Sequence, residues 1–298
     1  VDSRERRRII GEYVLTTQDI LNQRTHPDTI SQHMSNFDAA AFPDSAMLLI
    51  YDMKGPDYHV DMPYRCLLPK GLDGILVLGL GASAERDAMT LVRMQPDLQN
   101  QGYAAGVAAA MAAMLDGCTR KIDIKKVQQQ MVEEGVLEPR VVHDRDSYPM
   151  DESVIARAVE DVSHLSRQHD QSRVPASESM RALAVIMAHS KRSKSLLREA
   201  YKKASTQNER INYAKILAIL GDNTGVLTLI AEVDTKTEWD EGYPYTSGRK
   251  VGNVFSDLDR FIIALGYSGD PRVLEPLLRK MDILKPTTVL SHFKAVTL

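Results

Sequence analysis

Cysteine is almost missing from this chain of 298 residues: it has two, Cys66 and Cys118. Two thiols cannot make the disulfide framework of a small secreted domain, and no C-x-x-C pair is present for dithiol redox chemistry. Cys66 lies in an apolar segment and reads as a buried, inert thiol, since a reactive thiolate needs an electropositive, partly exposed setting; Arg65 beside it is the one feature pointing the other way. No charge of one sign dominates either. The 37 basic and 40 acidic side chains leave a net charge of -3, which excludes a basic footprint for nucleic acid or an acidic membrane surface. No apolar run approaches the ~20 residues that span a bilayer, and the alanine-rich residues 104–115 are too few. Nor is there a G-x-G-x-x-G turn. Gly79-Leu80-Gly81 is followed by Ala82-Ser83-Ala84, so the third glycine is missing, and no strand-helix-strand pattern surrounds it.

What is present is concentrated between residues 76 and 113. Residues 75–78 are continuously apolar and predict a strand buried on both faces, ended by the low-bulk Gly79-Leu80-Gly81. Gly102, Ala104, Ala105 and Gly106 then predict the start of an alanine-rich helix. A helix start with unpaired N–H groups and few side chains can lie close to an electron-rich ligand.

Several motifs in a fixed order carry a resemblance. Val77, Gly79, Ser83-Ala84, Arg93, Pro96 and Gly102-Tyr103-Ala104-Ala105-Gly106 follow one another without a gap. Tyr64-Arg65-Cys66-Leu67-Leu68-Pro69-Lys70-Gly71 precedes them, as do Ile9-Ile10-Gly11-Glu12-Tyr13-Val14 and Pro27-Asp28-Thr29-Ile30. This order resembles the C-terminal, flavin-contacting region of bacterial FAD-dependent oxidoreductases with a glutathione-reductase-like flavin fold, over residues 1–138. The resemblance implies that Gly79, Gly81, Ser83, Arg93, Gly102, Tyr103, Ala104, Ala105 and Gly106 contact FAD. Leu80, Arg86 and Tyr103 stand where relatives usually carry arginine, histidine and glutamine, and Phe37-Asp38-Ala39-Ala40 replaces an Asp-Ile-His, so polar roles at those places do not carry over. Relatives begin with the nucleotide-binding turn missing here, and the chain starts at Val1 within what reads as a substrate-domain strand. The expectation is therefore a fragment of a longer flavoprotein, lacking its N-terminal nucleotide-binding domain and binding FAD weakly or not at all by itself.

The remaining pattern divides the chain into three. Residues 1–138 read as a β-rich partial FAD-binding and substrate domain, with apolar runs at 13–15 and 46–51 and a helix from Ile124 to about Glu134 capped by Asp123. Residues 139–172 read as a charged linker and a helix, and residues 173–298 as an all-α region with apolar residues at three- and four-residue spacing. Within the last part Gly221-Asp222 and Gly269-Asp270 recur 48 residues apart between helical patterns, similar to HEAT-like repeats, whose periods run ~40–47. Leu220, Leu227, Leu265 and Leu274 are then expected in one continuous core. The fold class expected overall is mixed α+β and α/β, followed by α-helical repeats; a plain helical bundle is the other reading of this part.

Among polar groups, His143-Asp144-Arg145-Asp146 has metal-ligand residue types but lacks helical ligand spacing, as do His164 and His169, so no metal is expected. His26 and His33 lie where an imidazole could accept a proton beside a flavin, structural roles being the alternative. His59 is the histidine to test first, with Arg65 the second catalytic candidate. The aromatic residues 239–245 read as a surface loop or as burial against the repeats. Two functions compete: an FAD-dependent oxidoreductase whose small-molecule substrate gives hydride to flavin, and a non-catalytic helical-repeat module, with a protein partner, attached to a degenerate flavin-like region. Either would be soluble, cytoplasmic or periplasmic.

Overall fold

The computed structural model describes residues 7–37, 43–51, 57–165, 176–240, 243–246, 249–283 and 295–297. From the N-terminus the elements are α1 (Thr17–Leu21), β1 (Thr29–Ser35), α2 (Ala46–Ile50), β2 (Tyr58–Pro63), α3 (Arg86–Met89), α4 (Gln95–Ala113) and α5 (Ile124–Glu133). Next come α6 (Glu152–Asp161), α7 (Ala176–Ala188), α8 (Ser190–Lys203), α9 (Gln207–Ile219), α10 (Val226–Asp234), β3 (Tyr243–Thr246), β4 (Arg249–Val254), α11 (Asp257–Ser268) and α12 (Leu274–Ile283). They form two compact units, Val1–Asp38 with Gly55–Pro149 and Ala39–Lys54 with Met150–Leu298.

In the first unit β1 and β2 make an antiparallel hairpin in which Ser31 faces Met62 and His33 faces Val60. Strand alternation sends Ser31, His33 and Met62 toward α4, while Gln32 and Asp61 bond to each other on the opposite face. α1 is fixed by a capping box: Thr16 accepts from the Asp19 N–H, and Asp19 accepts from the Thr16 N–H at 2.9 Å. The same carboxylate accepts from the Tyr13 hydroxyl at 2.6 Å and pairs with Arg24 at 3.0 Å, although only 3% of Asp19 is exposed. Asp19→Ala is expected to cost about 2 kcal/mol, through a lost cap and a half-buried guanidinium deprived of a partner. Urea unfolding would show this, with Asp19→Asn losing less because it keeps an accepting oxygen for the cap.

Residues 139–149 are largely exposed, as their charge suggests, but they are tied to the first unit and do not hang free as a linker. Arg24 binds both oxygens of Asp146 at 2.9 and 2.8 Å and lies 4.1 Å from the Tyr148 ring centre, and Thr25 donates to the Arg145 carbonyl. Arg140 pairs with Asp61 of β2. Acidic and basic residues that look solvated along the chain are paired across more than 70 residues of it, so the first unit runs to Pro149 instead of ending at 138.

The second unit is helical around α9, whose residues from Ile211 to Ile219 are all buried, as expected of a helix surrounded on every side. The apolar run at 46–51, assigned by sequence to the β-rich part, is helix α2; Met47, Leu49 and Ile50 are fully buried and it packs on α7, α9 and α11. This unit is not all-α: β3 and β4 form an antiparallel hairpin reaching into the predicted aromatic loop, and Trp239 just before it donates to Asp259 of α11. The two Gly-Asp turns do correspond. Gly221 (φ 70°) and Gly269 (φ 63°) take the left-handed conformation, and Asp222 and Asp270 each accept from the N–H two residues on. The leucine core does not follow from them. Leu265 is buried and Leu220 half-buried, but Leu227 and Leu274 are 61% and 63% exposed because Val226 and Val273 take the inward positions and the next residue is rotated about 100° away. Among the described residues no helix is long and apolar enough to cross a membrane.

Candidate functional site

The site begins with an extended segment that failed to become a strand. Residues 75–78 keep two backbone bonds, from the Val77 N–H to the Leu67 carbonyl at 2.9 Å and from the Gly81 N–H to the Leu78 carbonyl at 3.3 Å, and Ile75 and Leu78 are exposed. The continuous apolar pattern calls for neighbours on both faces, and no described strand pairs with it. Instead its bare side, with Gly74, Leu76 and Leu78, makes one wall of a groove of about 510 Å³. The other wall is the face of α4 bearing Gly102, Ala105, Gly106 and Ala109, spaced at i, i+3, i+4 and i+7. A methyl added at Gly102 or Gly106 would meet nothing within 4 Å, so both glycines leave helix backbone open to the groove.

The helix starts earlier than its glycines suggest. α4 begins at Gln95, with Pro96 in its first turn, and not at Gly102. The N–H groups of residues 102–106 are therefore inside the helix and bonded, so this face offers flat van der Waals contact instead of free donors. Tyr103 and Ala104 lie off the groove: Tyr103 bonds to Glu134, and Ala104 is fully buried.

The turn at Gly79–Gly81 is pinned against the same helix. Gly79 has φ 59°, and its N–H donates to the Gln101 side-chain oxygen at 2.8 Å. A Cβ at Gly81 would come within 2.9 Å of Val77. Ser83 is sealed inside: its hydroxyl accepts from the Gly11 N–H at 3.0 Å, and its own N–H donates to the Cys66 carbonyl. Gly11 is required at that crossing, because its Cβ would lie 2.7 Å from that of Ser83. Arg93 is half-buried just before α4 and already has an interaction partner. Thus Gly102, Ala105 and Gly106 line the groove, Gly79 and Gly81 hold the adjoining turn, and Ser83, Arg93, Tyr103 and Ala104 do not line it.

The two catalytic candidates lie elsewhere. Arg65 grips Asp28 with two side-chain bonds, at 2.9 and 3.1 Å, plus its backbone N–H, and sits over the Tyr13 ring. His59 is exposed on the far face of the hairpin and lines a polar pocket of about 250 Å³ with Asp61, Arg140 and Asp144, which shares no lining residue with the groove. His26 and His33 are buried, and burial lowers both imidazole pKa values, that of His33 to about 4. Burial likewise pushes the Cys66 thiol up, which keeps it protonated and inert.

Sequence reasoning passed over Gln101, Asp97 and Ser31. Gln101 is 1% exposed and joins the Gly79 turn to the hairpin, its amide nitrogen meeting Ser31 Oγ at 3.4 Å and Met62 Sδ at 3.0 Å. Pro96 was the available signal: reading it as a first-turn proline puts Asp97 and Gln101 one helical turn apart on the inner face.

Comparisons with curated proteins and with solved structures found no match. Residues 2–131 match the family model described as FAD dependent oxidoreductase, which supports a flavin-dependent redox function in general. The match runs from the first described residues through the hairpin, the Gly79 turn and α4 into α5, so the groove and its turn lie within the part of the chain that is similar to FAD dependent oxidoreductases.

Proposed function

We propose that this chain forms the flavin-contacting part of an FAD-dependent oxidoreductase, the groove between residues 74–78 and α4 taking a face of the cofactor. One observation carries the reading: two glycines leave helix backbone open and two alanines add little bulk along an open, largely apolar wall, next to a turn whose backbone is fixed. Those residues suit a flat aromatic ring, and the volume lies in the range of small-molecule sites. Bound FAD would accept hydride from a small-molecule substrate; the chain's own part is to position the ring and exclude water. Gly102, Ala105 and Gly106 would make the contact, with Leu76 and Leu78 opposite.

The sequence has no G-x-G-x-x-G turn to hold a pyrophosphate. Titration with FAD, followed by flavin fluorescence, is therefore expected to give a Kd weaker than about 10 μM. Gly106→Leu, which fills the groove, is expected to weaken it at least tenfold further. Sub-micromolar binding would refute the missing anchoring contacts, and weak binding indifferent to Gly106→Leu would refute the groove.

For the second unit we propose a HEAT-like scaffold or docking role without catalytic groups. Leu274, Leu278 and Met281 support it, each about half or more exposed on one face of α12.

A further inference from the structure

We propose that His33 is a positioning residue for the Gly79–Gly81 turn, acting through Ser31 and Gln101 and held in one tautomer opposite Asp97. The orientation of the Gln101 amide is set by the first member of this chain of groups. The Gly79 N–H can only donate, so the Gln101 atom it meets at 2.8 Å is the oxygen. The Gln101 nitrogen then points inward and donates to Ser31 Oγ at 3.4 Å and to Met62 Sδ at 3.0 Å. Ser31 Oγ has no other acceptor for its proton among the described residues, so the hydroxyl is assigned as donating to His33 Nε2, 2.8 Å away. That assignment leaves Nε2 bare and puts the ring proton on Nδ1, which has no hydrogen-bond partner among the described residues and has the Asp97 carboxylate at 3.7 Å as its electrostatic counterpart.

Every side chain along this path except Asp97 is at most 2% exposed, so water does not compete for the donors. Three elements contribute: Ser31 and His33 are alternate residues of β1, Met62 is the partner of Ser31 on β2, and Asp97 and Gln101 are one turn apart on α4. Asp97 also accepts from the Met34 N–H at 3.3 Å, which holds its carboxylate beside the strand. Removing the acceptor at His33 would leave the Ser31 O–H free to rotate, so that its proton can take the side from which Gln101 donates. Gln101 would then lose its orientation, and Gly79 its partner. The bearing of this on flavin rests on the proposed function; the chain of hydrogen bonds does not.

The test uses the full chain without flavin, so it succeeds or fails independently of the FAD titration. Long-range 1H–15N correlation of the His33 imidazole near neutral pH is expected to show the Nδ1–H tautomer, and the Nε2–H tautomer overturns the proposal. Hydrogen exchange of the Gly79 amide is the second readout. His33→Leu is expected to accelerate it at least about tenfold, whereas His33→Gln, which still offers an accepting oxygen to Ser31, is expected to retain most of the protection. Equal effects of the two substitutions, or none, would assign His33 a packing role and overturn the proposal. Should His33→Leu fail to fold, Ser31→Ala breaks the same link with the loss of one oxygen, and unchanged Gly79 exchange in it would be equally fatal.

Discussion

Acidification from about pH 6.5 to about pH 4 is expected to remove on the order of 3 kcal/mol of stability from the first unit, with His33 as the main cause. The imidazole is buried, and burial lowers its pKa to about 4. Above the ordinary histidine pKa both folded and unfolded chains hold it neutral, and stability is complete. Below that value the unfolded chain takes up a proton that the folded chain refuses, so stability falls until the folded imidazole also titrates. His26 acts in the same direction: it is fully buried against Tyr13, its pKa is lowered by burial, and neither ring nitrogen has a hydrogen-bond partner among the described residues. Two carboxyls oppose the trend. Burial raises the pKa values of Glu85 and Asp97, so their protonation favours the folded state. Glu138, held low by Gln32 and Arg140, destabilises only below the ordinary carboxyl range. Urea midpoints measured between pH 7 and pH 4 should therefore slope downward, and His33→Gln should flatten the slope. The same slope in that variant would remove His33 as the cause.

Local chemistry was legible where it acts within a few residues. Asp123 caps α5 as its place before an amphipathic run suggests, and Gly221-Asp222 and Gly269-Asp270 make like turns because glycine accepts a left-handed backbone and aspartate caps the next N–H. The residues of the flavin-type motif were also partly brought together, with the Gly79 turn bonded to α4. What failed depends on partners distant in sequence. Residues 46–51 are as apolar as a buried strand, and only burial among α7, α9 and α11 makes them a helix. Residues 143–148 look like a free linker because the arginine that clasps Asp146 lies 122 residues earlier. Gln101 carries no motif at all, and its role exists because a strand and a turn happen to converge on it. The leucines at 227 and 274 were misplaced by a single step: an echo between two turns fixes where a helix starts, whereas the buried face depends on which of two adjacent apolar residues, valine or leucine, points inward.

In the second unit, Gly225→Ala is expected to cost about 3 kcal/mol, at the upper end of the range for overpacking a core. Gly225 caps α10 with an ordinary negative φ of -98°, so backbone conformation is not what demands glycine there. Space is. A Cβ on it would lie 2.4 Å from the Ala214 Cβ and 2.6 Å from the Ala214 Cα. A side-chain atom could turn aside, but a Cα moves only with its helix, and α9 is enclosed by α8, α10 and α11. Gly221 is the matched control, because alanine there meets nothing within 4 Å and suffers only the left-handed backbone, worth roughly 1–2 kcal/mol. Urea unfolding followed by the fluorescence of Trp239, the single tryptophan and a ligand of Asp259 in this unit, would rank the two. Gly225→Ala less damaging than Gly221→Ala would mean that α10 can back away from α9 at little cost. Adding Ala214→Gly to Gly225→Ala should recover only part of the loss: it removes the 2.4 Å contact, leaves the one to Cα, and places glycine in a helix interior at about 1 kcal/mol.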